Sequence, residues 1–232
     1  MINKDKKKLV IFGNSEIASL AKFYFSHDSD YEVVAFTVDD DYFKSTSYEG
    51  LPVVPFSSVK DKYPSDGYSM HVALSYVRLN KLREEKYHQA KSAGYILANY
   101  ISSKATTWHD LVVGDNCFIL ENQTIQPTVK IGDNVMLWSG NHIGHGTEIG
   151  SHTYLASQVV ISGNCKIGER CFFGVNATLK DFLTIGDDVF VAMDASVVKD
   201  LASDSVVLAG KSKVFDPDDR AGQKIKKIYF KL

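Results

Sequence analysis

Residues 119–150 read ILENQTIQPTVKIGDNVMLWSGNHIGHGTEIG, and an aliphatic residue returns at every sixth position of this stretch. The same period extends in both directions, from residue 101 to residue 197. The residues at the repeating position are Ile101, Thr107, Val113, Ile119, Ile125, Ile131, Leu137, Ile143, Ile149, Leu155, Ile161, Ile167, Phe173, Leu179, Ile185, Val191 and Val197. Only Thr107 is polar, and neither a helix nor a plain two-residue alternation repeats every six residues. The pattern therefore predicts a β-solenoid, in which each hexad forms one short strand and one turn.

The hexads also predict which side chains face the interior of the solenoid. If the aliphatic position is the first slot, the second slot is often glycine, which tolerates tight corners. The fifth slot is mostly small or apolar, so slots one and five are expected to line the interior. Three hexads would close one triangular coil, and the coils would stack at the strand spacing of ~4.8 Å.

The cysteines fit this scheme, because Cys117, Cys165 and Cys171 all fall in the fifth slot. A buried free cysteine behaves as a small hydrophobic residue, whereas a catalytic thiol needs an exposed and electropositive setting. We therefore expect the three cysteines to be structural. Their odd number and unpaired spacing also argue against the disulfide framework of a secreted protein.

Composition and charge narrow the classes of function. The 232 residues are 44% hydrophobic and 23% charged, and the formal net charge of −2 gives no sign of a nucleic-acid-binding surface. No run approaches the ~20 apolar residues of a membrane span. The apolar run at residues 9–12 is too short for the core of a signal peptide. The sequence predicts a cytoplasmic protein with neither a nucleic-acid nor a membrane partner.

The first 95 residues lack the six-residue period and alternate between strand and helix patterns. The predicted strands are Leu9–Phe12, Glu32–Val38, Val72–Leu74 and Tyr95–Asn99, and the predicted helices cover residues 17–25 and 78–93. This alternation predicts a small Rossmann-like α/β domain over residues 1–95, followed by the solenoid at 96–210 and a tail at 211–232.

A turn that can bind phosphate lies between the first predicted strand and the first helix. Backbone N–H groups of Gly13, Asn14 and Ser15 can hold a phosphate there. The full dinucleotide fingerprint is absent because only Gly13 is glycine, so the pattern does not favour NAD. Asp39 and Asp40, after the second strand, can receive sugar or ribose hydroxyls. A turn needed only for folding and a solvated acidic loop stay open as alternatives.

The repeat changes character after residue 138. The fifth slot becomes polar at Asn141, Thr147 and Thr153, and polar groups at interior positions are costly unless they are hydrogen-bonded. Two histidines lie beside these positions, His142 in the sixth slot and His145 in the third. An imidazole titrates near neutrality, so it can take a proton from an amine or hydroxyl and later return it. The cluster predicts a catalytic site around His145, while a solvated corner is the alternative for His142.

The hexads resemble those of the hexapeptide-repeat acyltransferases, a family of left-handed parallel β-helices, and the left hand is taken from this resemblance. The stretch NHIGHGTEIG at 141–150 looks like the catalytic coil of these enzymes. An α/β domain joined to the solenoid is similar to one branch of the family in particular. That branch contains the bacterial nucleotide-sugar N-acetyltransferases and the sialic-acid O-acetyltransferases.

The resemblance implies roles for individual residues. His145 occupies the position of the general base, with His142 beside it. Gly163 matches a glycine whose backbone N–H stabilises the thioester oxyanion, a contribution commonly worth ~3 kcal/mol. The residues implied to bind coenzyme A are Tyr154, Gly163, Val175 and Asn176. The residues expected at the substrate are Gly13, Asn14, Ser15, Asp39, Asp40 and Asn141.

The chain departs from the family pattern at two places. Many relatives have an acidic residue directly after the base, where this chain has Gly146, so another acceptor would have to orient the imidazole. Relatives often end the solenoid with a Gly-x-Pro-Ala-Lys turn. The corresponding residues here, AGKSK at 209–213, lack the proline and continue into a polar tail.

The resemblance predicts an acetyl-CoA-dependent N-acetyltransferase that acts on a nucleotide-linked amino sugar in bacterial surface-glycan biosynthesis. It implies acetyl-CoA as co-substrate, no metal, and a homotrimer with active sites between subunits. Sugar O-acetylation and transfer of a longer acyl chain stay open, as do the identities of the sugar and the nucleotide.

Two other classes of function are less favoured. A zinc hydratase can be built on the same solenoid, but the spacing of His142, His145 and His152 does not match that family's ligand pattern. His109 does lie two coils before His145, which keeps a metal site conceivable. A non-catalytic sugar-binding scaffold is supported mainly by the missing acid at Gly146.

Overall fold

The computed structural model describes residues 6–210 and 213–230. Its first part is an α/β unit with one five-stranded sheet, in the order β3-β4-β2-β1-β5. Strands β1–β5 are Lys7–Phe12, Tyr31–Val38, Ser47–Tyr48, Leu51–Pro55 and Ser69–Val72; helices α1–α3 are Glu16–His27, Val59–Lys62 and Lys81–Ser92, with 3-10 turns at Asp40–Tyr42 and Phe56–Ser58. All neighbouring strands are parallel except the β3–β4 pair. The predicted Rossmann-like α/β unit is confirmed.

Some element positions differ from those that the sequence predicts. The strand predicted at Val72–Leu74 lies earlier, as β5, and ends at Val72. The strand predicted at Tyr95–Asn99 is reduced to an isolated bridge between Leu97 and Met70, which pairs this segment with β5 of the α/β unit. The short β3–β4 hairpin was not predicted.

The helix predicted to begin at Arg78 begins three residues later, at Lys81. Arg78, Leu79 and Asn80 all have left-handed backbone angles, with φ of 54°, 51° and 66°. This conformation costs roughly 1–2 kcal/mol for each L-residue, so a right-handed helix cannot pass through the segment. The Asn80 amide donates hydrogen bonds to the carbonyl oxygens of Arg170 and Cys171 at 3.1 and 3.0 Å, which tie the turn to the solenoid.

The second part of the chain is a left-handed parallel β-helix of two-residue strands. Strands β6–β22 are Tyr100–Ile101, Val112–Val113, Phe118–Ile119, Thr124–Ile125, Lys130–Ile131, Met136–Leu137, His142–Ile143, Glu148–Ile149, Tyr154–Leu155, Val160–Ile161, Lys166–Ile167, Phe172–Phe173, Thr178–Leu179, Thr184–Ile185, Phe190–Val191, Ser196–Val197 and Val206–Val207. They form three parallel sheets of seven, five and five strands. Residues pair with those one coil later, as His142 does with Val160. The predicted solenoid with three hexads per coil is confirmed.

The interior of the solenoid is the predicted one. First-slot and fifth-slot side chains form one continuous hydrophobic core along the helix axis. Cys117, Cys165 and Cys171 are free and buried in it, and burial raises the pKa of all three thiols. The expectation that the cysteines are structural therefore agrees with their positions.

The corners of the coils are made at a slot that the sequence did not single out. The fourth slot carries the left-handed residues, namely Asn116, Asn122, Thr128, Asn134, His152, Gln158, Asn164, Arg170, Asn176, Phe182, Asp188 and Asp194. Glycine is frequent in the second slot for a different reason, because successive coils approach closely there. A Cβ atom on Gly144 would lie 2.4 Å from the backbone nitrogen of Gly163 in the next coil.

The α/β unit packs against the seven-stranded sheet of the β-helix through a shared apolar core. This core joins Leu9 and Phe25 of the α/β unit to Phe118, Met136 and Tyr154 of the β-helix. Because this core spans both parts of the chain, the two parts hold each other in a fixed arrangement.

A fully buried arginine ties helix α3 to the same sheet. The Arg83 guanidinium donates to the carbonyl oxygens of Asn134 and His152, and to the Asn80 side chain at 2.9 Å. Burial lowers the pKa of Arg83 to about 10. A buried cation of this kind is costly to leave unpaired, so its carbonyl partners fix the position of α3.

The tail contains helix α4, at Arg220–Phe230. The predicted tail at 211–232 falls partly outside the described residues, which omit 211–212 and 231–232. Among the described helices, none combines the length and the apolar character needed to cross a bilayer.

Two buried histidines lie near the contact between the two parts of the chain. The Nδ1 atom of His71 is 2.9 Å from the Ala98 carbonyl oxygen, and His152 packs beside Arg83. Burial is the main cause that lowers the pKa of both histidines to about 4, and the charge of Arg83 lowers both further. Both side chains are therefore neutral in the folded protein at neutral pH.

We expect the free energy of unfolding to fall by about 2 kcal/mol for each of these histidines between pH 7.5 and pH 5. Their folded pKa values lie below the unfolded value of about 6.5, so acid favours the unfolded chain. The stability is complete above pH 6.5 and is lost as the pH falls towards 4. Urea unfolding at the two pH values measures this loss. His152→Asn, which suits the left-handed corner, should halve it, and an unchanged pH dependence would contradict the assignment.

Candidate active site

The polar residues that interrupt the fifth slot are satisfied inside the coils. The Asn141 amide donates to the Trp138 carbonyl oxygen at 2.6 Å, and its oxygen accepts the Val159 N–H at 2.7 Å. Thr147 and Thr153 make equivalent hydrogen bonds with the backbone of the next coil. These bonds explain why the interior tolerates polar groups here, and they use both polar atoms of Asn141, which was expected at the substrate.

His145 is exposed at the corner that follows strand β12, and a glutamine from the preceding coil holds its ring. The Gln126 side-chain oxygen accepts the backbone N–H of His145 at 2.8 Å and lies 3.0 Å from His145 Nδ1. A backbone N–H can only donate, so the glutamine atom is the oxygen, and Nδ1 must carry the ring proton. The other ring nitrogen, Nε2, is left with a lone pair and can act as a base.

Gln126 is the acceptor that orients the His145 ring in the absence of an acidic residue at position 146. It lies in the second slot one coil before Gly144, a slot that is often glycine. The presence of glutamine in a slot that is often glycine is the signal in the sequence that could have identified Gln126. Its role is the one expected of another acceptor, but it is performed by a neutral amide rather than by an acid.

The structure also explains why position 146 is glycine. Gly146 has a φ of +68°, and a Cβ atom there would lie 2.4 Å from Oδ1 of Asn164 in the next coil. An acidic side chain would have to displace Asn164, whose amide nitrogen lies 3.5 Å from His145 Nε2.

Gly163 lies directly beside the imidazole of His145. A Cβ atom on Gly163 would lie 2.8 Å from Cε1 and 3.1 Å from Nε2 of the ring, so only glycine fits this position without moving the base. The third-slot N–H groups of Asp115 and Glu169, at another corner, are capped by aspartates of neighbouring coils. Within the described part of the chain, the Gly163 N–H donates to no other group. It is available to a developing oxyanion.

His142 lies in strand β12, just before the His145 corner. It is half-buried and occupies the outward-facing sixth slot, paired in register with Thr124 and Val160. His142 lies on the strand that leads to the His145 corner, and its role stays a prediction.

Apart from Gly163, the residues expected to bind coenzyme A lie along another face of the β-helix. A mostly apolar groove of about 490 Å³ runs over the seven-stranded sheet and includes Tyr154 and Val175. Tyr154 is buried and stacks on Phe172 at 5.2 Å, and burial raises the pKa of its hydroxyl. Asn176 forms the adjoining corner, with a φ of 60°. The groove fits an extended, largely apolar chain.

A second groove, of about 310 Å³, lies at the carboxyl ends of β1 and β2. Gly13, Asn14, Ser15 and Asp39 line it together. Ser15 is the N-cap residue just before α1, and its side chain makes no capping hydrogen bond in the described structure. The amino end of a twelve-residue helix therefore opens into the groove, which is a favourable place for a phosphate. Asp40 points elsewhere and accepts the Ser57 N–H at 3.3 Å.

Lysine 86 is a further polar residue of this groove that the sequence did not identify. Lys86, on α3, pairs with Asp39 at 2.9 Å and with Glu85 at 3.2 Å. Burial alone would lower the pKa of this amine, but the two carboxylates outweigh it and raise the pKa. Lys86 is on α3 and is far along the sequence from the groove residues that follow β1 and β2. Only the packing of α3 brings it to the groove.

One group of the described residues has the composition of a metal site, but it is not the predicted histidine set. Ligand atoms of Glu84, His88 and His152 lie within 4.8 Å of one another. The Asn134 amide donates to His152 Nδ1 at 2.9 Å, so the neutral ring carries its proton on Nε2, which faces Glu84 at 3.7 Å. Glu84 is also paired with Arg170 at 3.1 Å. Metal binding at Nε2 would require the ring proton to move to Nδ1, where the Asn134 amide already donates, so the arrangement does not favour a zinc hydratase.

The base and the apolar groove lie at different corners of the triangular coil. His145 and Gly163 follow strands β12 and β15, at one end of a five-stranded sheet. Val175 lies at the corner between β17 of the seven-stranded sheet and β18 of that five-stranded sheet. It is therefore at the end of the five-stranded sheet where the strands begin, whereas His145 and Gly163 are at the end where the strands finish. The width of this sheet separates the two groups of predicted residues within one chain.

Comparisons with known proteins agree with this architecture. A family model described as "Bacterial transferase hexapeptide (six repeats)" matches residues 128–163. The acetyltransferase domain of PglB from Neisseria gonorrhoeae FA1090 is 20% identical; the match covers 90% of this chain and 100% of that chain, with a TM-score of 0.78. PerB from Caulobacter crescentus, solved in complex with CoA and GDP-perosamine, is 24% identical over 90% of this chain and 97% of that chain, with a TM-score of 0.77. WeeI from Acinetobacter baumannii AYE is 20% identical over 89% and 99% of the two chains, with a TM-score of 0.74. A comparison with curated proteins gives no match.

Residues 128–163 therefore match the repeats of that family model, and the chain is folded as a left-handed parallel β-helix. It shares the two-part fold of PglB and PerB, with the α/β unit included in the match.

Proposed function

We propose that this protein is an acetyl-CoA-dependent N-acetyltransferase of a nucleotide-linked amino sugar, active as a cytoplasmic homotrimer in surface-glycan biosynthesis. The observation that carries the proposal is the corner at which Gln126 fixes His145 with an unprotonated Nε2 beside Gly163. A base and an oxyanion donor in one place are what acyl transfer from a thioester requires.

His145 Nε2 accepts the proton of the sugar amine as the amine nitrogen bonds to the thioester carbonyl carbon. The Gly163 N–H stabilises the negative charge that develops on the carbonyl oxygen. As the carbon–sulfur bond breaks, the His145 imidazolium returns its proton to the leaving thiolate. Because Gln126 is neutral, it orients the base without stabilising the imidazolium as a carboxylate would. The site therefore suits an amine that arrives unprotonated.

The groove of the α/β unit is proposed to hold the nucleotide-sugar. The open amino end of α1 and the backbone of Gly13, Asn14 and Ser15 would bind the phosphates. Asp39 and Lys86 offer an acceptor and a donor at the other side of the groove. PerB is a relevant precedent, since it was solved with GDP-perosamine.

The trimer is proposed because the predicted site is divided between separate corners of one chain. In a closed threefold ring, the His145 corner of one subunit can face the apolar groove of its neighbour. Tyr154 and Val175 would then contact the pantetheine arm beside a base from the next subunit.

The proposal is tested by thiol release from acetyl-CoA with a panel of UDP-, dTDP- and GDP-linked amino sugars. Strong release with one acceptor, and an N-acetylated product by mass spectrometry, would establish the activity and identify the substrate. Release only with hydroxyl acceptors would favour the O-acetyltransferase alternative. Failure to bind coenzyme A would overturn the transferase proposal and favour a sugar-binding scaffold.

A further inference from the structure

Helix α4 has an exposed apolar face that is flanked by basic residues. At 100° per residue, Ala221, Ile225 and Ile228 fall within one narrow sector of the helix. Ile225 is 43% exposed and Ile228 is 66% exposed, so this apolar face is open to solvent in the described structure. An exposed apolar face on a surface helix indicates an interaction site.

The rest of the α4 surface is basic, except for Phe230, which lies opposite Ile225 and Ile228 and is 72% exposed. Lys224 borders the apolar face, Arg220 and Lys227 lie further round on the same side, and Lys226 lies on the other side. Residues 220–230 contain no acidic residue. The whole chain has a formal net charge of −2, so this positive charge is local to the helix. Three aspartates precede α4, and Asp219 accepts the Ala221 N–H at 2.8 Å, as expected of a helix cap. The acids are therefore confined to the amino end.

We propose that α4 docks the protein on an anionic lipid surface. Ile225 and Ile228 would enter the boundary between headgroups and acyl chains, and the lysines would contact anionic headgroups. Charge complementarity favours this occupant over an acidic partner protein or RNA, because the basic residues flank an exposed apolar face that a polyanion would leave in water. This revises the expectation of no membrane partner, which considered only spanning segments. The proposal does not depend on the acyl-transfer proposal.

The test is cosedimentation of the full-length protein with vesicles of phosphatidylcholine, with and without phosphatidylglycerol. We expect binding to the anionic vesicles only, weakened by salt. An eleven-residue helix is marginal in water, so its helical circular-dichroism signal should increase on binding. Equal binding to neutral and anionic vesicles, or no binding, would overturn the proposal.

Matched variants separate the basic residues from the apolar face. Lys224→Gln with Lys227→Gln should weaken binding about 30-fold at low salt, since each basic residue near the surface contributes about fivefold. Lys60→Gln with Lys62→Gln, on exposed α2, removes the same charge elsewhere and should change little. Ile225→Gln with Ile228→Gln should weaken binding at least about tenfold, and replacement of both by leucine should not. If the glutamine pair leaves vesicle binding intact but disrupts an oligomer, the face contacts protein and the proposal fails.

Discussion

Replacement of His145 by alanine should lower kcat for acetyl transfer by about 10³-fold, within the range of about 10² to 10⁴ that general base catalysis supplies. The side chain is exposed and its ring makes no contribution to the core, so the fold should be unchanged. The remaining rate would come from substrate positioning and from the Gly163 N–H. Steady-state thiol release with the substrate found in the panel measures this change, and the KM for acetyl-CoA should move little.

The control for this variant is His109→Ala, which removes another exposed histidine from the β-helix. Its activity should be that of the unmodified protein. If His145→Ala retains full turnover, the base has been assigned to the wrong residue. His142→Ala would then be the next variant to examine, because His142 is on the strand that leads to the His145 corner.

Replacement of Gln126 by leucine should lower kcat by about 10- to 100-fold and leave both KM values nearly unchanged. Gln126 fixes the ring of His145 and the proton on Nδ1, and a misplacement of about 1 Å can cost about 10²-fold. Gln126 is a positioning residue in this proposal, since it contacts the base rather than the substrates.

The pH–rate profile distinguishes positioning from a merely structural role. Gln126→Glu keeps an oxygen acceptor in place, so kcat at high pH should be largely retained. The carboxylate stabilises the protonated imidazole, so a higher pH is needed to free the base, and the acid limb of the profile should move to higher pH. A profile that does not move, together with a normal rate for Gln126→Leu, would show that the amide does not act on His145.

The repeat in the sequence indicates where the residues of the candidate site lie on the coils, but not which side chains contact them. The slot of each residue located His145 and Gly163 one coil apart, and the structure shows them in contact. The same numbering did not reveal Gln126 as the partner of the base, because second-slot residues were assigned to corners. The structure shows that corners are formed at the fourth slot, and that second-slot glycines allow close approach between coils.

Contacts that arise from packing between the α/β unit and the β-helix could not be predicted from the repeat. Lys86 reaches the predicted phosphate groove only because α3 is anchored by Arg83 to carbonyl groups of the solenoid. The left-handed turn that delays the start of α3, from Arg78 to Asn80, carries no glycine, and it is held by contacts 90 residues away in the chain. Local propensity predicts a helix there, and tertiary contacts override it.

The sequence by itself determined the solenoid, its interior and the position of His145, the proposed base, because a six-residue period fixes every side chain relative to the coil axis. Tertiary structure alone decided what surrounds those residues. It chose the neutral Gln126 as the partner of His145, used both polar atoms of Asn141 inside the coil, and placed the base and the apolar groove at opposite ends of one sheet. The physical reason is that a periodic pattern specifies which side chains face inward or outward on each coil. Contacts between coils and between the two parts of the chain depend on how these side chains pack in three dimensions.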